Sequence, residues 1–96
     1  MSDWVRVATF EGDEAAARRM VEEIEKEPGP PPGIPANSIM VGYDRANKHV
    51  RVVVRFDSEG NLRTGSETLD GMEPPDDASM RRISVEKFEV LLERHA

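Results

Sequence analysis

Arg51 and Arg55 lie in the segment HVRVVVRF at 49–56, separated by an even number of positions, so on an extended chain both project from one face. Two guanidiniums so placed bind a carboxylate, an enolate or a phenolate through charge-assisted hydrogen bonds. The structural alternative is that they pair with acids of a second subunit or face water, as surface arginines commonly do. His49 begins the same segment with Asp44 facing it across a turn. A histidine held by a carboxylate is a general base near neutral pH, although beside a turn at a sheet edge it serves equally to stabilise that turn. Trp4 offers a ring to stack on an aromatic ligand, to anchor a subunit interface or to fill a core. Met20, Met40 and Met72 supply adaptable apolar surface or fill gaps. The candidate ligand-binding set is therefore Arg51, Arg55, Met40 and Trp4, with no residue assigned to catalysis. No Ser-His-Asp set, glycine-rich phosphate loop or recognisable carboxylate-pair motif is present. With no cysteine and two histidines, no spacing matches a zinc site, so neither a metal nor a cofactor is expected.

The element that must position the arginines is a β-hairpin over residues 38–56, SIMVGYDRANKHVRVVVRF. Placing Ala46 and Asn47 at the turn sets Tyr43 opposite Val50, Val41 opposite Val52 and Ile39 opposite Val54, which makes one face wholly apolar. The other face carries Ser38, Met40 and Gly42 against Arg55, Val53 and Arg51, and Gly42 leaves space beside Arg51. A one-residue slip would set Val41 beside an arginine, so burial selects this register.

The remaining elements follow from periodicity. Trp4 to Phe10 reads as a strand, with Val5, Val7 and Thr9 alternating against Trp4, Arg6, Ala8 and Phe10; bulk on both faces suits a strand covered on two sides. Asp13 caps a helix over 14–27, whose apolar stripe is Ala16, Ala17, Met20, Val21 and Ile24; its charged face is a solvated surface. PGPPPGIP at 28–35 lacks the amide donors for helix or strand and reads as a stiff surface connector. Asp57, Ser58 and Glu59 start a short helix with Leu62, Ser66 and Leu69 on one side, weakened by Gly60 and Gly65. GMEPPDDAS at 71–79 is a polar loop. The segment RRISVEKFEVLLER at 81–94 fits two patterns. Val85, Phe88, Leu91 and Leu92 after Ser84 have helical spacing, whereas Ile83 with Val85, then Phe88 with Val90 and Leu92, suit a strand with a parity change at a bulge near Glu86 and Lys87.

Composition sets the limits on this set of elements. A chain of 96 residues makes one domain and buries about two thirds of the surface its unfolded form exposes. With 38% hydrophobic and 33% charged residues the core is thin, and burial within an oligomer would add to it. A net charge of −6 repels nucleic-acid phosphates and anionic membranes. The opening MSDWVRVATF has no basic region before an apolar run of signal-peptide length, and no stretch approaches the roughly 20 apolar residues that span a bilayer, so a cytoplasmic protein is expected.

The order β-α-β-β-α-β suggests a ferredoxin-like antiparallel sheet, α+β in class. Four stretches resemble the antibiotic biosynthesis monooxygenase-like family of dimeric α/β barrels: VRVATFEGD at 5–13, YDRANK at 43–48, FDSE at 56–59 and ISVEKFEV at 83–90. Together they span most of the chain. The resemblance implies helices on one sheet face, a second subunit across the other, a cavity between them, and a strand in place of the ambiguous tail. It does not carry over catalytic residues. Phe56 stands where such proteins typically have a tryptophan before the acidic residue, and Thr9 falls near the asparagine of haem-degrading members, which argues against haem degradation. The expectation is a homodimer that binds a small, partly apolar or anionic molecule between sheet faces. Two alternatives stand beside it. One is a cofactor-independent monooxygenase or isomerase acting on an aromatic polyketide-like substrate, with Arg51 or Arg55 stabilising an enolate and Trp4 or Tyr43 positioning the ring. The other is a structural protein with a filled barrel.

Overall fold

The computed structural model describes residues 3–26, 33–71 and 80–95. Six elements follow in order: β1 (Trp4–Glu11), α1 (Glu14–Glu25), β2 (Ser38–Asp44), β3 (His49–Phe56), α2 (Glu59–Gly71) and β4 (Arg81–Glu89). The four strands form one antiparallel open sheet in the order β2-β3-β1-β4, so the domain is α+β. This order and the element sequence are compatible with a ferredoxin-like fold. Most of the proline-rich segment, the polar loop after α2, and with them Met72, Asp76 and Asp77, lie outside the described residues.

The hairpin has the register that burial selects: Tyr43 faces Val50, Val41 faces Val52, Ile39 faces Val54, and Gly42 faces Arg51. Its turn is held by Asp44, whose carboxylate accepts from the backbone N–H of Ala46 at 3.1 Å and of Asn47 at 3.2 Å, and from Asn47 Nδ2 at 2.9 Å. An Asx side chain that mimics a backbone turn explains why Lys48 can be held at φ 57°, a region few side chains adopt.

Both helices pack on the valine face. The core joins Val52, Val54 and Phe56 of β3 to Leu62 of α2 and to Ile34, with Trp4, Phe10, Ile39, Val41, Met20 and Leu69 packed around it. Ile34 thus pins the stretch leading into β2, which is more than a connector because it contributes a buried side chain to the core. Asp13 caps α1, accepting from the N–H of Ala16 at 2.8 Å, and Ala16 and Ala17 are its buried residues. Ser58 caps α2 with its hydroxyl, 3.1 Å from the N–H of Asn61. Gly65 is a contact residue more than a weak point, since a Cβ added there would lie 2.3 Å from Cε1 of Phe56. The absent side chain brings α2 down onto the one fully buried ring of the core.

The ambiguous tail is a strand. β4 pairs with β1, setting Val85 opposite Ala8 and Phe88 opposite Val5. The irregularity lies at Ile83, between the Thr9–Ser84 and Phe10–Arg82 pairs, and not at Glu86 and Lys87. No bulge is needed to explain the apolar parity, because Val85 faces the helices and Phe88 the opposite side.

Candidate functional site

The second face of the sheet carries no helix among the described residues. Across the four strands its rows run Ser38, Arg55, Val5, Phe88; then Met40, Val53, Val7, Glu86; then Gly42, Arg51, Thr9, Ser84; then Asp44, His49, Glu11, Arg81. The centre is apolar and the margins are charged. Met40 is 63% exposed and Phe88 47%, which leaves large apolar side chains in water on either side of Val53 and Val7.

Three of the four candidate ligand residues, Arg51, Arg55 and Met40, share this face. The fourth does not: Trp4 pairs with Phe56 and packs against the core beneath the helices. Nor do the two guanidiniums converge. Arg55 donates Nε to Asp3 at 2.7 Å and both terminal nitrogens to the two oxygens of Glu93, at 2.9 and 2.6 Å. The Arg55 guanidinium in turn holds the Glu93 carboxyl below the usual carboxylate range. Arg51 points the other way and stays half exposed, with its nearest carboxylate oxygen, on Asp44, at 4.0 Å. That is beyond hydrogen-bonding distance, so Arg51 keeps donors to offer.

His49 faces Asp44 in the ladder, but the Asp44 oxygens are taken by the turn amides and no hydrogen bond joins the two side chains. Hydrogen bonds from the Asn47 side chain and backbone hold the Asp44 carboxyl below its ordinary value, and a nearby Arg51 adds to this. The pair is therefore a turn, without the geometry of an oriented base.

A second charged cluster lies under α2, where sequence reasoning placed none. Arg6 is only 3% exposed; its Nε donates to Ser66 Oγ at 3.2 Å and a terminal nitrogen donates to Asp70 at 2.9 Å. Arg82 reaches the same Asp70 oxygen at 2.9 Å. Burial opposes ionisation of Asp70, but the hydrogen bonds from Arg6 and Arg82 outweigh it and hold the carboxyl below its ordinary value. The signal was available in part, for Arg6 shares the parity of Trp4, Ala8 and Phe10, and Asp70 lies one helical turn beyond Ser66 on the side marked by Leu62. The Asp3–Arg55–Glu93 cluster had no local signal, because its members come from three separate parts of the chain.

Among the described residues, no group of three or more His, Cys, Asp or Glu side chains is arranged to hold a metal ion, and no helix is long and apolar enough to cross a membrane. Comparison with protein-family models, with curated proteins and with solved structures gives no match to this chain.

Proposed function

We propose that the chain is a binding module of the antibiotic biosynthesis monooxygenase-like, ferredoxin-like type, in which two copies meet across their open sheet faces and hold a small, partly apolar molecule between them. The observation that carries this reading is the apolar strip of Met40, Val53, Val7 and Phe88, exposed at Met40 and Phe88 and half-buried between them, on a sheet whose described helices lie on the other side. A sheet with one face packed needs a reason to leave large apolar side chains on the other, and a second copy supplies it. Arg51, on the margin of that strip and with free donors, favours a ligand carrying an anionic group. Binding ranks above oxygenase chemistry because His49, the candidate base beside this face, has no carboxylate to orient it, the Asp44 oxygens being taken by the turn.

The test combines mass and binding. Light scattering at micromolar concentration should give twice the mass of the chain, and calorimetry against aromatic carboxylates and phenols should find a ligand that Arg51→Gln binds more weakly. A cooperatively folded monomer removes the proposal, as does an Arg51→Gln variant whose binding equals that of the parent.

A further inference from the structure

The Arg55 guanidinium is presented in the manner by which arginine recognises a carboxylate. Its Nε is fixed by Asp3, and the edge formed by the two terminal nitrogens meets Glu93 in a two-bonded fork. What holds Glu93 there is slight. The segment after β4 has no regular structure, Leu91 and Leu92 are 87% and 72% exposed, and the backbone bond that anchors it runs from the Val90 N–H to the Asp3 carbonyl at 2.8 Å. Leucines left in water do not press the segment against the sheet, so the Arg55 fork is its principal side-chain tether.

We infer that Arg55 is a carboxylate-binding site which the chain fills with its own Glu93, so that a carboxylate ligand on the open face must displace the C-terminal segment. This inference rests on the reading of the open face as a ligand site and names the ligand class, a carboxylate on an apolar body. Phe88, 47% exposed, lies in the same cross-strand row as Arg55, and the half-buried Val53 is the next residue on that face of β3, so an apolar body has surface to meet once its carboxylate is seated. Asp3 remains bound to Nε throughout and keeps the fork aimed. A tethered carboxylate competes at the effective concentration its short linker allows, so a ligand that offers only a charge loses to Glu93, whereas one that adds apolar contact does not.

The experiment is an NMR titration of the full-length chain with benzoate at constant ionic strength, using the parent, Glu93→Gln and Arg55→Gln, with benzamide as the uncharged control. Removing the internal competitor should tighten benzoate binding in Glu93→Gln by about five- to tenfold. Benzoate binding should be lost in Arg55→Gln, and benzamide should bind none of the three. Should Glu93→Gln bind benzoate no more tightly than the parent, the internal occupant is refuted while a ligand site on the open face stands. Should benzoate shift neither the parent nor Glu93→Gln, the carboxylate site falls together with the anionic form of the proposed function.

Discussion

Arg6 shows how a charged residue can occupy a core position in so small a domain. A buried guanidinium is tolerated only when its donors are met, and here Ser66 and Asp70 meet them from successive turns of α2. Removing one partner leaves donors of a buried cation unsatisfied. Asp70→Asn is therefore expected to lower stability by about 1–2 kcal/mol in urea denaturation, the lower part of the range for such losses, because the Asp70 side chain is itself partly exposed. Arg51→Gln, at a half-exposed side chain without a close partner, should change stability by less than about 0.5 kcal/mol. The same cluster sets a pH dependence. Asp70 has a folded pKa below its unfolded value of about 3.9, so its contribution is fully present above that pH and is lost as pH falls through the lower folded value. Denaturation followed from pH 6 to pH 2 should show the parent losing this contribution below about pH 4, and Asp70→Asn should lack that part of the decline. Curves that stay parallel over that range would detach Asp70 from acid stability.

At the scale of the element, legibility depended on whether one periodicity or two fitted the residues. The hairpin register could be read in full because the period-two pattern and the burial of Val50, Val52 and Val54 select the same alignment. The consequence is a contrast: Val52→Asp puts an unpaired carboxylate at a buried site and should unfold the domain, whereas Arg51→Asp, its neighbour on the other face, should leave a cooperative transition. The tail was not legible locally, since β4 has apolar residues on both faces and its partner β1 lies 70 to 85 positions earlier, beyond any local pattern. Glycine in α2 was misleading for a related reason. Propensity alone makes Gly65 a defect, but the ring of Phe56 comes from another element and occupies the space of a side chain. Gly65→Ala should therefore lose about 1–3 kcal/mol by overpacking, although alanine is the better helix former. Gly60→Ala, whose Cβ would meet only Ser58 Oγ at 3.9 Å, should gain up to about 1 kcal/mol. Equal effects at the two positions in thermal or urea unfolding would show that α2 does not press on Phe56. Of the candidate site, the shared face of Arg51, Arg55 and Met40 follows from parity. The capture of Arg55 by Asp3 and Glu93 does not, because ion pairing between distant segments depends on where the chain ends come to lie.

For the whole molecule the question is what covers the open face. The helices, the core valines Val52 and Val54 and the Arg6 cluster lie on one side, so substitutions at exposed positions on the other side can test assembly without touching that core. Met40 and Phe88 are exposed apolar side chains of that face, on the two edge strands β2 and β4. If two copies meet there, a carboxylate at either position is buried against apolar surface and against its symmetry mate, and desolvation with like-charge repulsion opposes association. Met40→Glu and Phe88→Glu should each halve the mass seen by light scattering. Both should retain the circular dichroism of the parent, because in a single copy Met40 is 63% exposed and Phe88 47%, enough for either glutamate to reach water. A surface position away from that face separates the effect from net charge: Ala15→Glu, at an exposed position of α1 and with the same change of one charge, should leave the mass unchanged. Dimers that persist in both open-face variants would place the interface elsewhere and leave the apolar strip as the surface of a ligand groove within one copy.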